Sequence, residues 1–184
     1  MNGPSRRTFL GGLAATGLAA STVALAGCLG DDDDGGSEDT TETDWQEIVQ
    51  EDVTTGEEFT IAEADTPVVI HTFATYCPTC GSQQNEIADG YESLQEQATF
   101  LDLTVDENDE PRDIRDHAEA NGFDWKFGIA PSDLTSQLVD EFGQQVTVPP
   151  QSPLIIVCPD GTANTIEKVS DPTAIEDALE TYCS

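Results

Sequence analysis

Basic residues are almost missing from this chain. Six lysines and arginines stand against 37 aspartates and glutamates in 184 residues, a formal net charge of −31. No acid precedes Cys28, whereas Arg6 and Arg7 do, so a chain beginning at Cys28 sets 37 acids against four bases, a net of −33. Such a charge repels nucleic acid and anionic lipid surfaces, and neither is expected as a partner. The acids run along the whole chain rather than gathering in one element. Adaptation to concentrated salt therefore explains them better than one acidic docking face. At 1 M salt the Debye length is about 3 Å, and self-repulsion is screened. The expected host is a halophile, an archaeon. Internal repeats are absent. Acidic composition can signal disorder, but periodic apolar segments after residue 65 point to a folded body.

The uncharged stretch from Phe9 to Gly27, rich in Ala, Gly and Leu, holds Gly11, Gly12, Gly17 and Gly27. Those glycines make it a weak helix and a better signal-peptide core than a membrane span. Arg6-Arg7 ahead of it mark a twin-arginine export signal. It ends at Leu25-Ala26-Gly27-Cys28, which resembles the lipobox of lipoproteins, with Cys28 as the lipidated residue. Residues 28–44, with the run Asp31 to Asp34, can bury no apolar surface and read as an extended, self-repelling linker. The expected organisation is a signal peptide over 1–27, an acidic linker over 28–44 and one folded domain over 45–184. The domain is expected outside the cell, lipid-anchored to the cell membrane; an uncleaved anchor would place it there too.

Within the domain, Thr55-Gly56 marks a turn between two short segments, an expected hairpin. Pro67 to Ala74 is a continuous apolar, β-branched run, as suits a strand buried on both faces. Cys77 to about Gln97 has helical spacing at Ile87, Tyr91 and Leu94. Thr99 to Val105 is a second buried strand. Pro111 opens a helix that stops at Asn121-Gly122, and Ser132-Asp133 can cap another that ends at Gly143. Leu154 to Val157 is a third buried strand, Thr162 to Val169 an antiparallel return, and Asp171-Pro172 the start of a last helix. The order is hairpin, β, α, β, α, α, β, β, α. It implies an α/β domain with a central mixed sheet flanked by helices.

Cys77-Pro78-Thr79-Cys80 falls at the junction of a buried strand and a helix. A thiol at a helix start meets unpaired N–H groups and the positive end of the dipole, which favour its thiolate. The thiolate is the attacking species in disulfide exchange. Cys77 is then the nucleophile, and Cys80, one turn in and more buried, resolves the mixed disulfide. A structural zinc site needs a second ligand pair at similar spacing, and His71 and His117 are isolated. A structural staple across three residues closes too short a loop to stabilise much. Cys158 and Cys183 are a candidate structural disulfide outside the cell; the alternative is that one or both stay free.

Phe73-Ala74-Thr75-Tyr76-Cys77-Pro78-Thr79-Cys80 resembles the thioredoxin superfamily, and more closely its exported TlpA/ResA-like branch, over about residues 45–182. The resemblance implies a thioredoxin-like fold, with an N-terminal hairpin and an inserted helical region in Glu107 to Phe142. It gives Tyr76 the place of the aromatic before the first cysteine and Pro153 that of a cis-proline facing the dithiol, with Pro149 and Pro150 as rivals. Ser152 would offer its backbone to substrate. Thioredoxins carry a buried Asp six residues before the first cysteine; here His71 stands there, as a proton relay or as a neutral, hydrogen-bonded core residue.

The activity implied is thiol–disulfide oxidoreduction, as reductase or oxidase, with no cofactor beyond the Cys77–Cys80 disulfide and no metal. The implied partners are exported protein thiols or disulfides, among them apocytochrome or copper-site proteins, and a membrane redox partner; the protein is expected to be a monomer. The alternative is a copper-binding chaperone resembling the Sco group, although that group spaces its cysteines by three residues and adds a distant His. A peroxiredoxin-type peroxidase needs a Thr where Ala74 stands and an Arg nearby, and the domain has only Arg112 and Arg115.

Overall fold

The computed structural model of the protein describes residues 43–184. The twin-arginine segment, Cys28 and the Asp31 to Asp34 run lie outside the described residues. Asp44 caps a short 3-10 turn, Trp45–Glu47, by accepting the Gln46 N–H at 2.9 Å. A two-stranded antiparallel hairpin follows, β1 (Gln50–Asp52) and β2 (Glu57–Phe59). Its turn uses Gly56 at φ +76°, a conformation that costs glycine little. The buried Asp52 carboxylate holds the turn by accepting from Thr54 N–H and from the hydroxyls of Thr54 and Thr55.

The main sheet has five strands in the order β5-β4-β3-β6-β7. These are β3 (Val68–Phe73), β4 (Thr99–Thr104), β5 (Lys126–Ile129), β6 (Leu154–Val157) and β7 (Ala163–Ile166). Strands β3, β4 and β5 run parallel, while β6 and β7 are antiparallel. Every residue of β3 is buried, which explains its unbroken apolar reading.

Strand β5 corrects the expected element order, which placed only helices between Glu107 and Phe142. It takes the edge of the parallel half, against β4. The run is four residues long and includes Lys126 and Gly128, so it lacks the β-branched look of its neighbours. The signal was the alternation of Phe123, Trp125 and Phe127, all buried on one face; period two marks a strand. Val53 N–H donates to Phe127 carbonyl at 2.8 Å, so the hairpin is tied to this edge.

Four helices cover the sheet: α1 (Pro78–Leu94), α2 (Pro111–Asn121), α3 (Ser132–Phe142) and α4 (Pro172–Tyr182). α1, α2 and α4 open on proline, where a missing N–H is harmless. Asp171 caps α4 by accepting the Ala174 N–H at 2.9 Å. The expected Ser132-Asp133 cap does not form: Pro131 holds the cap position of α3 without a side-chain bond.

Two apolar clusters lie on opposite faces of the sheet. One contains Val69, Phe73, Phe100, Leu154 and Ile156 with residues of α1, α2 and α4. The other contains Val68, Ile70, Leu101, Leu103 and Ile155 with Leu134 and Leu138 of α3. Alternation along the strands sends His71 and Asp102, direct partners in the β3–β4 register, to the α1 side. Cys158, just past β6, is bonded to Cys183, just past α4, and pins that helix to the sheet. A bond across 25 residues stabilises by roughly 3 kcal/mol.

α1 and α4 touch at Gly90, where an added Cβ would lie 2.5 Å from Pro172 Cβ. Helix propensity favours alanine there by about 1 kcal/mol, but overpacking costs roughly 1–3 kcal/mol. Gly90→Ala is expected to lower stability by about 1 kcal/mol or more. A urea midpoint at or above that of the wild type would show that the two helices part freely.

Candidate active site

Past Phe73, the chain turns with Cys77 N–H donating to Ala74 carbonyl at 3.0 Å, and Cys77 becomes the N-cap of α1. Its Sγ accepts the Cys80 N–H at 3.2 Å. A sulfur that receives a helix N–H and the positive end of the dipole is stabilised as thiolate. Cys77 and Cys80 are joined as a disulfide, with Cα atoms 5.2 Å apart. Cys77 retains 6% exposure and Cys80 none, so an incoming sulfur meets Cys77 first.

The turn before Cys77 is fastened from the β4–α2 loop. Asp109 accepts from Thr75 N–H at 3.2 Å, from Thr75 Oγ1 at 2.6 Å and from Thr104 Oγ1 at 2.6 Å. Tyr76 stands 73% exposed beside the disulfide. Its hydroxyl donates to Asp106 at 2.7 Å. That bond holds the phenol's pKa above its usual value and the Asp106 carboxyl below the usual range.

A chain of polar contacts runs inward from Cys80. Lys168, just past β7, places Nζ 3.8 Å from Cys80 Sγ, 2.6 Å from His71 Nε2, 3.1 Å from Ser152 Oγ and 3.4 Å from Thr72 carbonyl. His71 Nδ1 lies 3.1 Å from Asp102 Oδ1. Asp102 Oδ2 accepts from Gln84 Nε2 at 2.6 Å, and Gln84 Oε1 lies 2.9 Å from His117 Nε2. The partners assign the protons. A carboxylate only accepts, so His71 carries its proton on Nδ1 and turns a bare Nε2 to Lys168. Burial pushes the His71 pKa down against the opposing pull of Asp102, and burial likewise lowers His117. Burial brings the Lys168 ammonium down to about 8, with Asp102 opposing.

Lys168 is held inward by its neighbours. Gln83, one turn after Cys80, is fully buried and grips Ser170 at both backbone groups. It donates to Ser170 carbonyl at 3.0 Å and accepts Ser170 N–H at 2.9 Å. Between Lys168 and Ser170 sits Val169 at φ +62°. A β-branched residue is strained there, at a cost of about 1–3 kcal/mol. The grip of Gln83 maintains that strained loop, and the loop aims Lys168 at Cys80.

Of the residues expected to form the site, Cys77, Cys80, His71 and Ser152 converge. Ser152 is fully buried; its Oγ donates to Thr72 carbonyl at 2.9 Å, and its N–H donates to Val148 carbonyl at 3.0 Å. Pro153 follows it and leads into β6. Tyr76 is adjacent to Cys77 but points to Asp106. Cys158 and Cys183 are bonded elsewhere, at the ends of β6 and α4. Sequence reasoning missed Lys168, Asp102, Gln83 and Gln84. Asp102 was visible as a lone acid inside Phe100-Leu101-Asp102-Leu103, and the glutamines as polar residues on the buried stripe of α1.

A parallel β3–α1–β4 unit, an antiparallel β6–β7 pair, a closing α4 and Cys-x-x-Cys at the β3–α1 junction make this a thioredoxin-like fold. Solved structures agree on the fold. A thiol:disulfide interchange protein of the thioredoxin family from Chlorobium tepidum is 18% identical, with a TM-score of 0.60 over 72% of this chain and 92% of its own. A secreted disulfide oxidoreductase of Mycobacterium tuberculosis homologous to Escherichia coli DsbE is 12% identical, with a TM-score of 0.56 over 74% and 97%. A SCO1/SenC family lipoprotein of Bacillus anthracis is 15% identical, with a TM-score of 0.57 over 73% and 89%. No protein-family model and no curated protein sequence matches the chain.

Asparagine adopts positive φ far more readily than valine. Val169→Asn is expected to raise stability by about 1 kcal/mol, read as a higher urea midpoint at unchanged slope. A lower midpoint would mean that Val169 is not strained in solution.

Proposed function

We propose that this protein is a membrane-tethered, extracytoplasmic thiol–disulfide oxidoreductase that exchanges disulfides with exported proteins through Cys77 and Cys80. The carrying observation is the asymmetry of the pair. Cys77 Sγ caps α1, keeps 6% exposure and accepts the Cys80 N–H, while Cys80 has none and lies behind it against Lys168. In the reducing direction the Cys77 thiolate attacks one sulfur of a substrate disulfide and releases the other as a thiolate. Cys80 then attacks Cys77 Sγ, closes the Cys77–Cys80 bond and frees the second substrate sulfur. Two electrons pass to the substrate, and the reverse sequence oxidises a dithiol.

The substrate class is an extended protein segment. A cavity of about 680 Å³ is lined by α1, α2, β5 and hairpin residues such as Tyr91, Arg115 and Trp125, and by neither cysteine. A disulfide carried on a chain needs no such pocket. It needs Cys77 at the surface with an aromatic platform, and Tyr76 supplies that beside it. Apocytochromes and copper-site proteins with exposed cysteines fit this class, as does a membrane redox partner that resets the dithiol. Lipid on Cys28, reached through twin-arginine export, would provide the tether, with the acidic linker as spacer. The protein works as a monomer and needs no cofactor but its own disulfide.

Copper binding by the same cysteines is the weaker reading, despite the SCO1/SenC family likeness in fold. The imidazole bound to the site, His71, turns its free nitrogen to the Lys168 ammonium at 2.6 Å. A cation there repels a second cation, and His117 is engaged with Gln84.

Cys77→Ser is expected to abolish exchange with a small-molecule or protein disulfide. Cys80→Ser is expected to trap substrate on Cys77 as a mixed disulfide visible by mass spectrometry. Exchange that persists without Cys77 would overturn the assignment.

A further inference from the structure

The exchange proposed above has a proton to dispose of. Cys80 has no exposure to solvent, so its thiol cannot give a proton to water when it resolves the mixed disulfide. One titratable side chain other than Cys77 touches its sulfur among the described residues: Lys168, with Nζ at 3.8 Å.

We propose that Lys168 is a catalytic residue, a general base that takes the Cys80 thiol proton and then holds the resulting thiolate as its ammonium partner. The inference rests on the exchange reading and names the group that drives its second half.

The hydrogen-bonding inventory around Nζ carries the argument. A neutral amine has two N–H donors and one lone pair. Thr72 carbonyl can only accept. His71 Nε2 accepts, because the His71 proton is on Nδ1, toward Asp102. Ser152 Oγ also accepts, because its own proton goes to Thr72 carbonyl. Among the four contacts of Nζ, the reduced Cys80 S–H is the one donor. A neutral Lys168 therefore has one neighbour from which to take a proton, Cys80, and the ammonium that results has three N–H groups for the three acceptors. An amine brought by burial to about 8 exists in part as the free base at neutral pH, near the ordinary thiol value of about 8.5.

The step balances. Before it, Cys77 Sγ is bonded to a substrate sulfur, Cys80 is a thiol and Lys168 an amine. The proton moves from Cys80 Sγ to Lys168 Nζ. The thiolate attacks Cys77 Sγ, the Cys77–Cys80 bond forms and the bond to substrate breaks. The substrate sulfur leaves with the electron pair and takes a proton from solvent. The two cysteines are oxidised by two electrons and the substrate disulfide is reduced. In the opposite direction the ammonium neutralises and reprotonates the departing Cys80 thiolate.

Other groups near the pair act on Lys168 rather than on sulfur. His71 from β3 bonds Nζ and Asp102 but not Cys80, so it is a positioning residue and not the direct relay that the sequence offered. Asp102 from β4 supports the ammonium. α1 presents the amides of Gln83 and Gln84, α2 presents His117 behind Gln84, and Glu167, next to Lys168 in the chain, is exposed.

The test uses the full chain carrying Cys77→Ser, in which Cys80 is a free thiol. Thiolate absorbance is followed against pH, and the signal of the Cys77→Ser, Cys80→Ser double variant is subtracted to remove Cys28. Cys80 is expected to titrate below the ordinary value of about 8.5, and Lys168→Met to move it up by about one unit or more. In single turnover, Lys168→Met is expected to slow resolution about tenfold or more at neutral pH, so that mixed disulfide accumulates. The rate should recover as pH rises and hydroxide replaces the missing base; a structural role for Lys168 would show no such recovery. If Lys168→Met does not fold, Lys168→Arg keeps the charge and should keep Cys80 depressed. An unchanged or lowered Cys80 titration in Lys168→Met, or an ordinary value in Lys168→Arg, overturns the proposal. Failure of the exchange reading would show differently, as no mixed disulfide at Cys77, with the titration still reporting on Lys168.

Discussion

Lys168 lies half-buried with its ammonium 2.6 Å from His71 Nε2, and the disposition of the site follows from how that cation is accommodated. Taking a charge out of water costs several kcal/mol unless partners replace the lost solvation. Here a carbonyl, a hydroxyl and an imidazole meet the N–H groups, and the Asp102 carboxylate stands behind the imidazole. Remove Asp102 and the His71 proton is free to sit on Nε2, where it would oppose the ammonium. Burial, against the opposing pull of Asp102, brings the pKa of Lys168 to about 8, low enough to exchange protons with a thiol. Strain at Val169 and the grip of Gln83 on Ser170 are part of the cost of keeping the lysine in place.

The extreme charge of the chain gives this arrangement a second meaning. The described residues hold four bases, Arg112, Arg115, Lys126 and Lys168. One of these four is spent against the disulfide. In concentrated salt the surface acids interact little over distance, because screening acts within a few ångströms. Buried pairs are screened much less, so the field at Cys80 is set by Lys168, His71 and Asp102 rather than by the acidic surface. A site that relied on surface charge would lose its tuning in such a medium; one built in the interior keeps it.

Much of the fold was legible because it is written locally. The runs at β3, β4 and β6 are apolar because both faces are covered, and Pro78, Pro111 and Pro172 mark helix starts. Cys77 and Cys80 declare themselves by spacing and by their place after a buried strand. Strand β5 was missed because it is a short edge with one apolar face. The inner half of the site was missed for a different reason. Lys168 and Cys80 are 88 residues apart in the chain, and His71 and Asp102 are 31 apart. Strand register and a strained loop bring them together, and neither is visible in local pattern. His71 was visible as a departure from the thioredoxin motif, but its role depends on a lysine that only the fold supplies.

The central claim is that Cys77–Cys80 is a working redox couple and not a staple. Its reduction potential tests this most directly, measured on the full chain in concentrated salt against thiol–disulfide buffers, with the two cysteines followed by alkylation and mass spectrometry. The account predicts a reversible two-electron midpoint within the span of exchange enzymes, about −270 to −120 mV. A midpoint below about −300 mV, where structural disulfides lie, would contradict it.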